Sequence, residues 1–162
     1  VYFDIIRKKT ASLIASCCAC GAASTGADED TVNKMLLFGE TTGIAFQIRD
    51  DLFDYESNGF TGKPSGIDIK EKKMTLPLIY ALNNGTYRDK KRIINIIKNH
   101  NNKPDKVEEV LSYVNNSGGI EYAENKMNEY QDKALKMLKE FPDCASKTSL
   151  EQLVRFTIKR KM

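Results

Sequence analysis

Apolar residues recur at intervals of three and four along most of the chain, which is the spacing of amphipathic helices. No run of alternating apolar and polar residues bounded by turns indicates a β-sheet. We therefore predict an all-α fold. The predicted helices cover residues 2–20, a segment capped by Asp28 or Asp30 that runs to about Tyr55, and residues 75–82, 86–99, 104–116, 119–140 and 146–160.

Two stretches depart from the usual helical pattern. The second half of the first helix is lined with small side chains, so we expect a neighbouring helix to approach it closely. Between Glu56 and Lys73 the helical pattern fails, and we expect a long loop that is mobile without ligand. The residues that interrupt the pattern there are Asn58, Gly59, Gly62, Pro64 and Gly66.

The composition is that of one globular domain, with 162 residues of which 41% are hydrophobic and 29% charged. The net charge of +3 is too small and too evenly spread to indicate a nucleic-acid partner. The longest uncharged run, residues 10–27, consists mostly of small side chains, so we predict no transmembrane segment. Cys17, Cys18 and Cys20 are too crowded for a disulfide framework, which favours reduced thiols and a cytoplasmic location.

Candidate chemistry concentrates in residues 43–54 (GIAFQIRDDLFD). At about 100° per residue, Gln47, Asp50, Asp51 and Asp54 fall within about 100° of arc on one helix face. Like charges at this spacing repel and raise the pKa of at least one carboxyl unless a cation is present. Hard oxygen ligands favour Mg²⁺, for which Mn²⁺ can substitute. The pattern therefore predicts a divalent-metal site.

A solvated acidic face is the alternative interpretation of the same three carboxylates. The apolar neighbours favour a largely buried helix instead, whose acidic face lines a cavity. These neighbours are Phe46, Ile48, Leu52 and Phe53.

A lysine-bearing segment follows the acidic face. It contains residues 61–68 (TGKPSGID) and then residues 72–77 (KKMTLP). The glycine spacing matches neither a Walker A loop nor G-x-G-x-x-G. A metal-bound diphosphate presents further oxygens that need cationic donors, so Lys63 and Lys73 are candidate phosphate ligands. Taken alone, these lysines would be interpreted as solvated loop charges.

Together the motifs resemble those of the trans-isoprenyl diphosphate synthases, also called polyprenyl synthetases. Residues 46–54 (FQIRDDLFD) resemble the family's second aspartate-rich motif, F-Q-x-x-D-D-x-x-D. Residues 62–68 (GKPSGID) and 73–77 (KMTLP) resemble G-K-x-x-G-x-D and K-x-T-L-P, and Lys72 stands where the family often has Gly. The shorter matches are Lys9-Thr10, Gly119-Ile120 and Lys159-Arg160-Lys161.

The resemblance implies an isoprenoid synthase helical bundle and a prenyltransferase. In that reaction an allylic diphosphate ionises with the help of Mg²⁺, and isopentenyl diphosphate attacks the carbocation. The full-length enzyme would be a homodimer. The family's first aspartate-rich motif is absent, and the sequence starts at Val1 inside an apparent helix. Residues 1–162 are therefore expected to be the C-terminal half of a single domain and to be inactive alone.

The same resemblance implies a role for each site residue. Asp50 would bind Mg²⁺ directly, whereas Asp51 and Asp54 would act largely through metal-bound water. The residues implied to hold the leaving diphosphate are Lys9, Lys63 and Lys73, which with Asp50 form the implied catalytic set. The residues implied to lie near the allylic substrate are Thr10 and Gln47.

Two other functions compete with this one. A non-catalytic helical subunit of a heteromeric synthase would be expected to lose the acidic face or the lysines. A terpene cyclase shares the fold but would be expected to show a different second metal motif. The chain keeps both the acidic face and the lysines, which favours the synthase.

The cysteines and the histidine add no second candidate site. Cys17 and Cys20 lie three apart on a helix and Cys18 is turned away, a pattern more typical of helix packing than of a zinc site. His100 is the single histidine and falls in a surface turn, so neither a zinc site nor a Ser-His-Asp triad has enough members.

Overall fold

The computed structural model describes residues 1–56 and 66–160, and this part of the chain folds into nine α-helices and one π-helical turn. The π-helical turn, Arg7–Ala11, lies between α1 and α2. The α-helices are α1 (Tyr2–Ile6), α2 (Ser12–Ser24), α3 (Glu29–Phe53), α4 (Ile67–Lys70), α5 (Leu76–Asn84), α6 (Tyr87–Asn99), α7 (Pro104–Asn116), α8 (Gly119–Leu138) and α9 (Ala145–Lys159).

The all-α prediction is confirmed, since no strand occurs in the described ranges. The predicted end of α3 at about Tyr55 was wrong by two residues, because the helix stops at Phe53. The predicted loop between Glu56 and Lys73 was wrong at its second end, where α4 forms. The rest of that loop, residues 57–65, lies outside the described residues, as does Lys63 within it.

Side-chain caps and prolines explain several helix starts. The Asp28 carboxylate accepts a hydrogen bond from the Thr31 N–H at 2.7 Å, which confirms Asp28 as a cap of α3. The Thr86 hydroxyl accepts one from the Asp89 N–H at 3.2 Å and caps α6. Both α5 and α7 carry proline in their first turn, where a helix has no need of the missing N–H.

Two compact units divide the chain. The first consists of Val1–Arg49 and Lys126–Arg160, and its core contains Phe38, Ala134, Leu138 and Val154. At its carboxyl end the Arg160 guanidinium lies 3.9 Å from the centre of the Phe46 ring.

Close approach of the N-terminal helices to α3 depends on glycine. A Cβ added at Gly39 would lie 2.7 Å from the Ala15 Cα, and one added at Gly43 would lie 2.6 Å from the Ala11 Cα. Both distances are far below an ordinary carbon–carbon contact of about 3.5–4.0 Å. The expectation that the small residues let a neighbouring helix approach closely is therefore confirmed.

The second unit contains Asp50–Asn125. Its core packs α5, α6 and α7 around residues with little or no exposed surface, including Leu78, Ile93 and Val110. The side chain of Ile69 brings α4 into the same core. This packing explains why a four-residue helix forms after a stretch of the sequence that is rich in glycine and proline.

The cysteines of α2 pack differently from the prediction. Cys18 is half-buried and packs against the core that contains Phe38, whereas Cys17 and Cys20 are exposed. The helix-packing interpretation therefore applies to Cys18 and was wrong for the other two. Desolvation and the neighbouring Cys17 raise the pKa of the Cys18 thiol.

Within the described residues, no helix has the length and apolar character needed to cross a bilayer.

Candidate active site

The carboxyl-terminal end of α3 carries the acidic motif. Gln47, Asp50 and Asp51 belong to the helix, and Asp54 follows one residue after its end. Ile48 and Leu52 are almost fully buried, as the sequence predicted for the apolar sides of this helix. Asp51 is itself buried and Asp50 is half-buried, so an entirely solvated acidic face does not describe this helix.

The carboxylate of Asp54 binds the start of α4. One oxygen accepts a hydrogen bond from the Ile67 N–H at 2.8 Å, and the other accepts one from the Asp68 N–H at 3.1 Å. The Asp54 carbonyl accepts a third bond from the Gly66 N–H at 3.1 Å. Asp54 thus joins the end of the acidic motif to residues 66–68 of the lysine-bearing segment.

Gly66 makes this junction possible. Its φ of 80° lies in the left-handed region that favours glycine, and an added Cβ would lie 2.4 Å from Val107 Cγ1. Both the turn into α4 and its contact with α7 therefore require a residue without a side chain.

The environment of Asp54 disfavours its charged form. Burial and the neighbouring charge of Asp68 raise the pKa of Asp54 to about 6. The hydrogen bonds donated by the Ile67 and Asp68 N–H groups, and the charge of Lys73, act in the opposite direction. A nearby cation would favour ionisation of this carboxyl. The oxygen donors of the motif therefore fit a hard divalent ion by their chemistry.

Lys73 lies beside the same junction. Its ammonium is 3.1 Å from Asp68 Oδ1 and 2.5 Å from Glu71 Oε2, and its backbone N–H donates to the Asp68 carbonyl at 2.8 Å. The hydrogen bonds to Glu71 and Asp68 raise the pKa of Lys73 above its usual range. Its side chain is half exposed and stays cationic at neutral pH.

Three further residues near the junction were not assigned as site residues from the sequence. Asp68 faces both Asp54 and Lys73, and the Tyr55 hydroxyl makes a buried hydrogen bond of 2.5 Å with the Thr75 hydroxyl. Burial is the largest cause of the raised pKa of Tyr55. Asp68 and Thr75 lie inside the matched motifs, so the sequence could have indicated them as site residues. Tyr55 lies outside the matched motifs, and the sequence gave no indication of its role.

The Lys9-Thr10 pair lies in the first unit, on the π-helical turn. The Thr10 hydroxyl donates to Gln47 Oε1 at 2.9 Å. The structure therefore brings together two residues that the resemblance assigned to the allylic substrate. Lys9 is exposed. Short π-helical segments are frequent at functional sites, and the sequence pattern gave no sign of this one.

The structure thus brings Asp54, Asp68 and Lys73 together, and separately Thr10 and Gln47. Lys63 lies outside the described residues. The described part of the chain holds no ready-made group of three or more His, Cys, Asp or Glu side chains for a metal ion. The assignment of Asp50, Asp51 and Asp54 to Mg²⁺ stays a prediction.

Comparison with known proteins identifies the family. The family model described as Polyprenyl synthetase matches residues 1–114. This chain belongs to the polyprenyl synthetase family. Heptaprenyl diphosphate synthase component 2 of Bacillus subtilis is 32% identical over 161 residues, which are 99% of this chain and 45% of that protein. Octaprenyl diphosphate synthase of Escherichia coli is 32% identical over 160 residues, 98% of this chain and 49% of that protein.

Solved structures show the same fold. Geranylgeranyl pyrophosphate synthase of Bacteroides thetaiotaomicron has a TM-score of 0.90 and 38% identity, with 98% of this chain covering 52% of that one. A polyprenyl synthase from Caulobacter crescentus, complexed with calcium and isoprenyl diphosphate, has a TM-score of 0.90 and 31% identity, with coverage of 99% and 49%. The fold is therefore that of the isoprenoid synthases, and this chain spans about half the length of the relatives it matches.

Proposed function

We propose that this chain supplies the second aspartate-rich wall of the active site of a trans-prenyl diphosphate synthase. The enzyme would condense an allylic diphosphate with isopentenyl diphosphate and release diphosphate. The observation that carries the proposal is the junction at Asp54. Its hydrogen bonds to Ile67 and Asp68, and the contact of Asp68 with Lys73, connect the acidic motif to the lysine motif within one unit.

The carboxylate oxygens of Asp50, Asp51 and Asp54 are suited to binding a divalent cation, which we propose to be Mg²⁺, with Mn²⁺ as a substitute. Asp50 would bind it directly, and Asp51 and Asp54 would act largely through water molecules in its shell. When bound, the cation supplies positive charge beside the departing diphosphate. The polyprenyl synthase of Caulobacter crescentus was crystallised with calcium and isoprenyl diphosphate, which supports a site for a divalent ion and a diphosphate in this family.

The chain's own lysines would hold the diphosphate group. When the allylic C–O bond breaks, its electron pair leaves with diphosphate. The double bond of isopentenyl diphosphate then forms the new C–C bond, and a proton is lost. Lys73 is suited to the charge that develops on the leaving group, because its ammonium is cationic and its side chain is half exposed. Lys9 and Lys63 are assigned the same role from the motif match.

Thr10 and Gln47 are proposed to lie near the allylic substrate. Their hydrogen bond of 2.9 Å fixes the two polar groups relative to each other within the first unit. Because the Gln47 side chain is buried and Thr10 is half-buried, the pair is suited to positioning a substrate.

Two alternatives can be distinguished in solution: a homodimeric enzyme that is active by itself, and a non-catalytic subunit of a heteromeric synthase. We expect the longest natural form of this protein to run as a homodimer and to turn over without a second gene product. The retained carboxylates and lysines favour this over a subunit that only assists an active partner. Light scattering combined with a turnover assay on the same sample separates the two.

Kinetics of single variants in the longest natural form test the assigned roles. Asp50→Ala should lower the turnover rate by about 10²–10³-fold, because it removes a charge at the site where diphosphate charge develops. Asp54→Ala should cost less, about 10–100-fold, if it acts through water. Lys63→Ala and Lys73→Ala should raise KM for the allylic diphosphate and leave KM for isopentenyl diphosphate nearly unchanged.

The matched control is Lys106→Ala. Lys106 is a half-exposed lysine paired with Glu109 at 2.8 Å, as Lys73 is paired with Asp68 and Glu71. It should leave both KM values unchanged, and melting curves should show that every variant is folded. Equal losses for Asp50→Ala and Asp54→Ala, or lysine effects confined to isopentenyl diphosphate, would contradict the assigned roles.

A further inference from the structure

A cavity of about 430 Å³ lies in the second unit, between residues 72–74 and α6. Its volume is within the range of about 300–1,000 Å³ that is usual for small-molecule sites. The lining is mostly apolar and carries two lysines. The lining residues are Lys72, Met74, Ile94, Ile97 and Lys98.

Lys72, which lines this cavity, has an unusual backbone conformation. Its φ of 59° lies in the left-handed region, which side chains other than glycine rarely adopt. Its ammonium donates to the Lys98 carbonyl at 2.9 Å, in the last turn of α6. Carbonyls at a helix end carry partial negative charge and have no partner inside the helix, which explains the attraction. The strained lysine thereby places a fixed positive charge at the cavity.

The surrounding charge is also positive. Helix α6 carries five basic residues and one acidic residue along Tyr87–Asn99. The acidic side chain next to Lys72 in sequence, Glu71, is already ion-paired with Lys73. A ligand that places an anion at Lys72 and Lys98 therefore meets a complementary field.

We propose that this cavity binds a single-chain amphiphile with an anionic head group. The carboxylate or phosphate head would contact the ammonium groups of Lys72 and Lys98. The hydrocarbon chain would lie against Met74, Ile94 and Ile97, where apolar surface is removed from water. This site is distinct from the proposed diphosphate site, since the Lys73 ammonium contacts Asp68 and Glu71 and is not part of the cavity lining.

The test is a titration of the 162-residue chain with dodecyl phosphate, kept below its micelle concentration. Methyl NMR signals of Met74, Ile94 and Ile97 report on the cavity. They should shift in a saturable way with dodecyl phosphate, and much less with inorganic phosphate or dodecyltrimethylammonium. Lys98→Glu should weaken binding by at least about tenfold. Lys98→Arg keeps the positive charge and should bind dodecyl phosphate as tightly as the wild-type chain.

Lys139→Glu is the matched control, because Lys139 is an exposed lysine that lies outside both α6 and the cavity lining. It makes the same change in net charge and should leave the affinity within about twofold. Equal binding of dodecyltrimethylammonium would overturn the head-group assignment. Unchanged methyl signals would overturn the site. The proposal would also be overturned if the chain sedimented with vesicles of phosphatidylcholine and phosphatidic acid but did not bind free dodecyl phosphate. Methyl shifts that follow protein concentration alone would show a second copy in the cavity and overturn the proposal.

Discussion

Substitution of Gly43 by alanine tests the packing that places Thr10 beside Gln47. The added Cβ would lie 2.6 Å from the Ala11 Cα and 2.9 Å from the Ala11 Cβ. An ordinary contact is about 3.5–4.0 Å, so the two helical segments would have to separate by about 1 Å. Because the nearest atom belongs to the backbone, a side-chain rotation cannot relieve the clash.

The expected cost can be worked out from three contributions. Overpacking typically destabilises a protein by about 1–3 kcal/mol. Loss of the Thr10–Gln47 hydrogen bond, which lies next to the forced contact, adds about 0.5–1.5 kcal/mol. Alanine gains about 1 kcal/mol over glycine in helix propensity. The free energy of unfolding should therefore fall by about 0.5–3.5 kcal/mol.

Urea unfolding followed by circular dichroism measures this change, with Gly21→Ala as the control. Gly21 is an exposed residue of α2, and a Cβ added there meets nothing within 4 Å. The control should be neutral or stabilising by up to about 1 kcal/mol, since only helix propensity changes. If Gly43→Ala were as stable as Gly21→Ala, the close approach of α3 to the N-terminal segment would be refuted.

Three further predictions concern activity, pH and a buried hydrogen bond. The 162-residue chain alone, with Mg²⁺ and both diphosphates, should give no solvent-extractable labelled product, because it lacks the first aspartate-rich motif; turnover by this chain would show that the reaction does not need that motif. Asp28→Ala should lower Tm at neutral pH, because bonds from Thr31 lower the Asp28 pKa and stabilise the ionised cap. That difference should shrink as the pH falls below the ordinary aspartate pKa of about 3.9, and a constant difference would contradict the sign. Tyr55→Phe should reduce the free energy of unfolding by about 1–3 kcal/mol in urea titrations, since it leaves the buried Thr75 hydroxyl without its partner; an unchanged midpoint would contradict this.

Helix positions were predictable where local signals specify them. Asp28, Pro77 and Pro104 mark helix starts through capping or a fixed φ, and the structure has helices beginning at or next to each of them. The burial of Ile48 and Leu52 followed from their apolar positions beside the acidic motif. These features depend on interactions within a few residues of sequence, so one sequence is sufficient to infer them.

Features that depend on distant partners were missed. α4 forms because Ile69 enters a core built by α5, α6 and α7 and because Asp54 accepts hydrogen bonds from its first turn. The π-helical turn lies where Ala11 meets Gly43, a contact that spans 32 positions of sequence. Cys18 is packed and Cys17 is exposed because the neighbouring core, and not the spacing, decides which face of α2 is covered. The site motifs were visible in sequence, but the bonding of Asp54 to α4 was not.

The most direct test of the central claim is transfer of labelled isopentenyl diphosphate to an allylic diphosphate by the longest natural form of this protein. With Mg²⁺ present, label should enter a solvent-extractable prenyl product, and chelation of Mg²⁺ should abolish the transfer. Asp50→Ala should reduce the rate by about 10²–10³-fold, and the exposed control Asp132→Ala should retain it. An Asp50→Ala variant with the wild-type rate, or transfer unaffected by chelation, would contradict the proposed aspartate-rich metal wall.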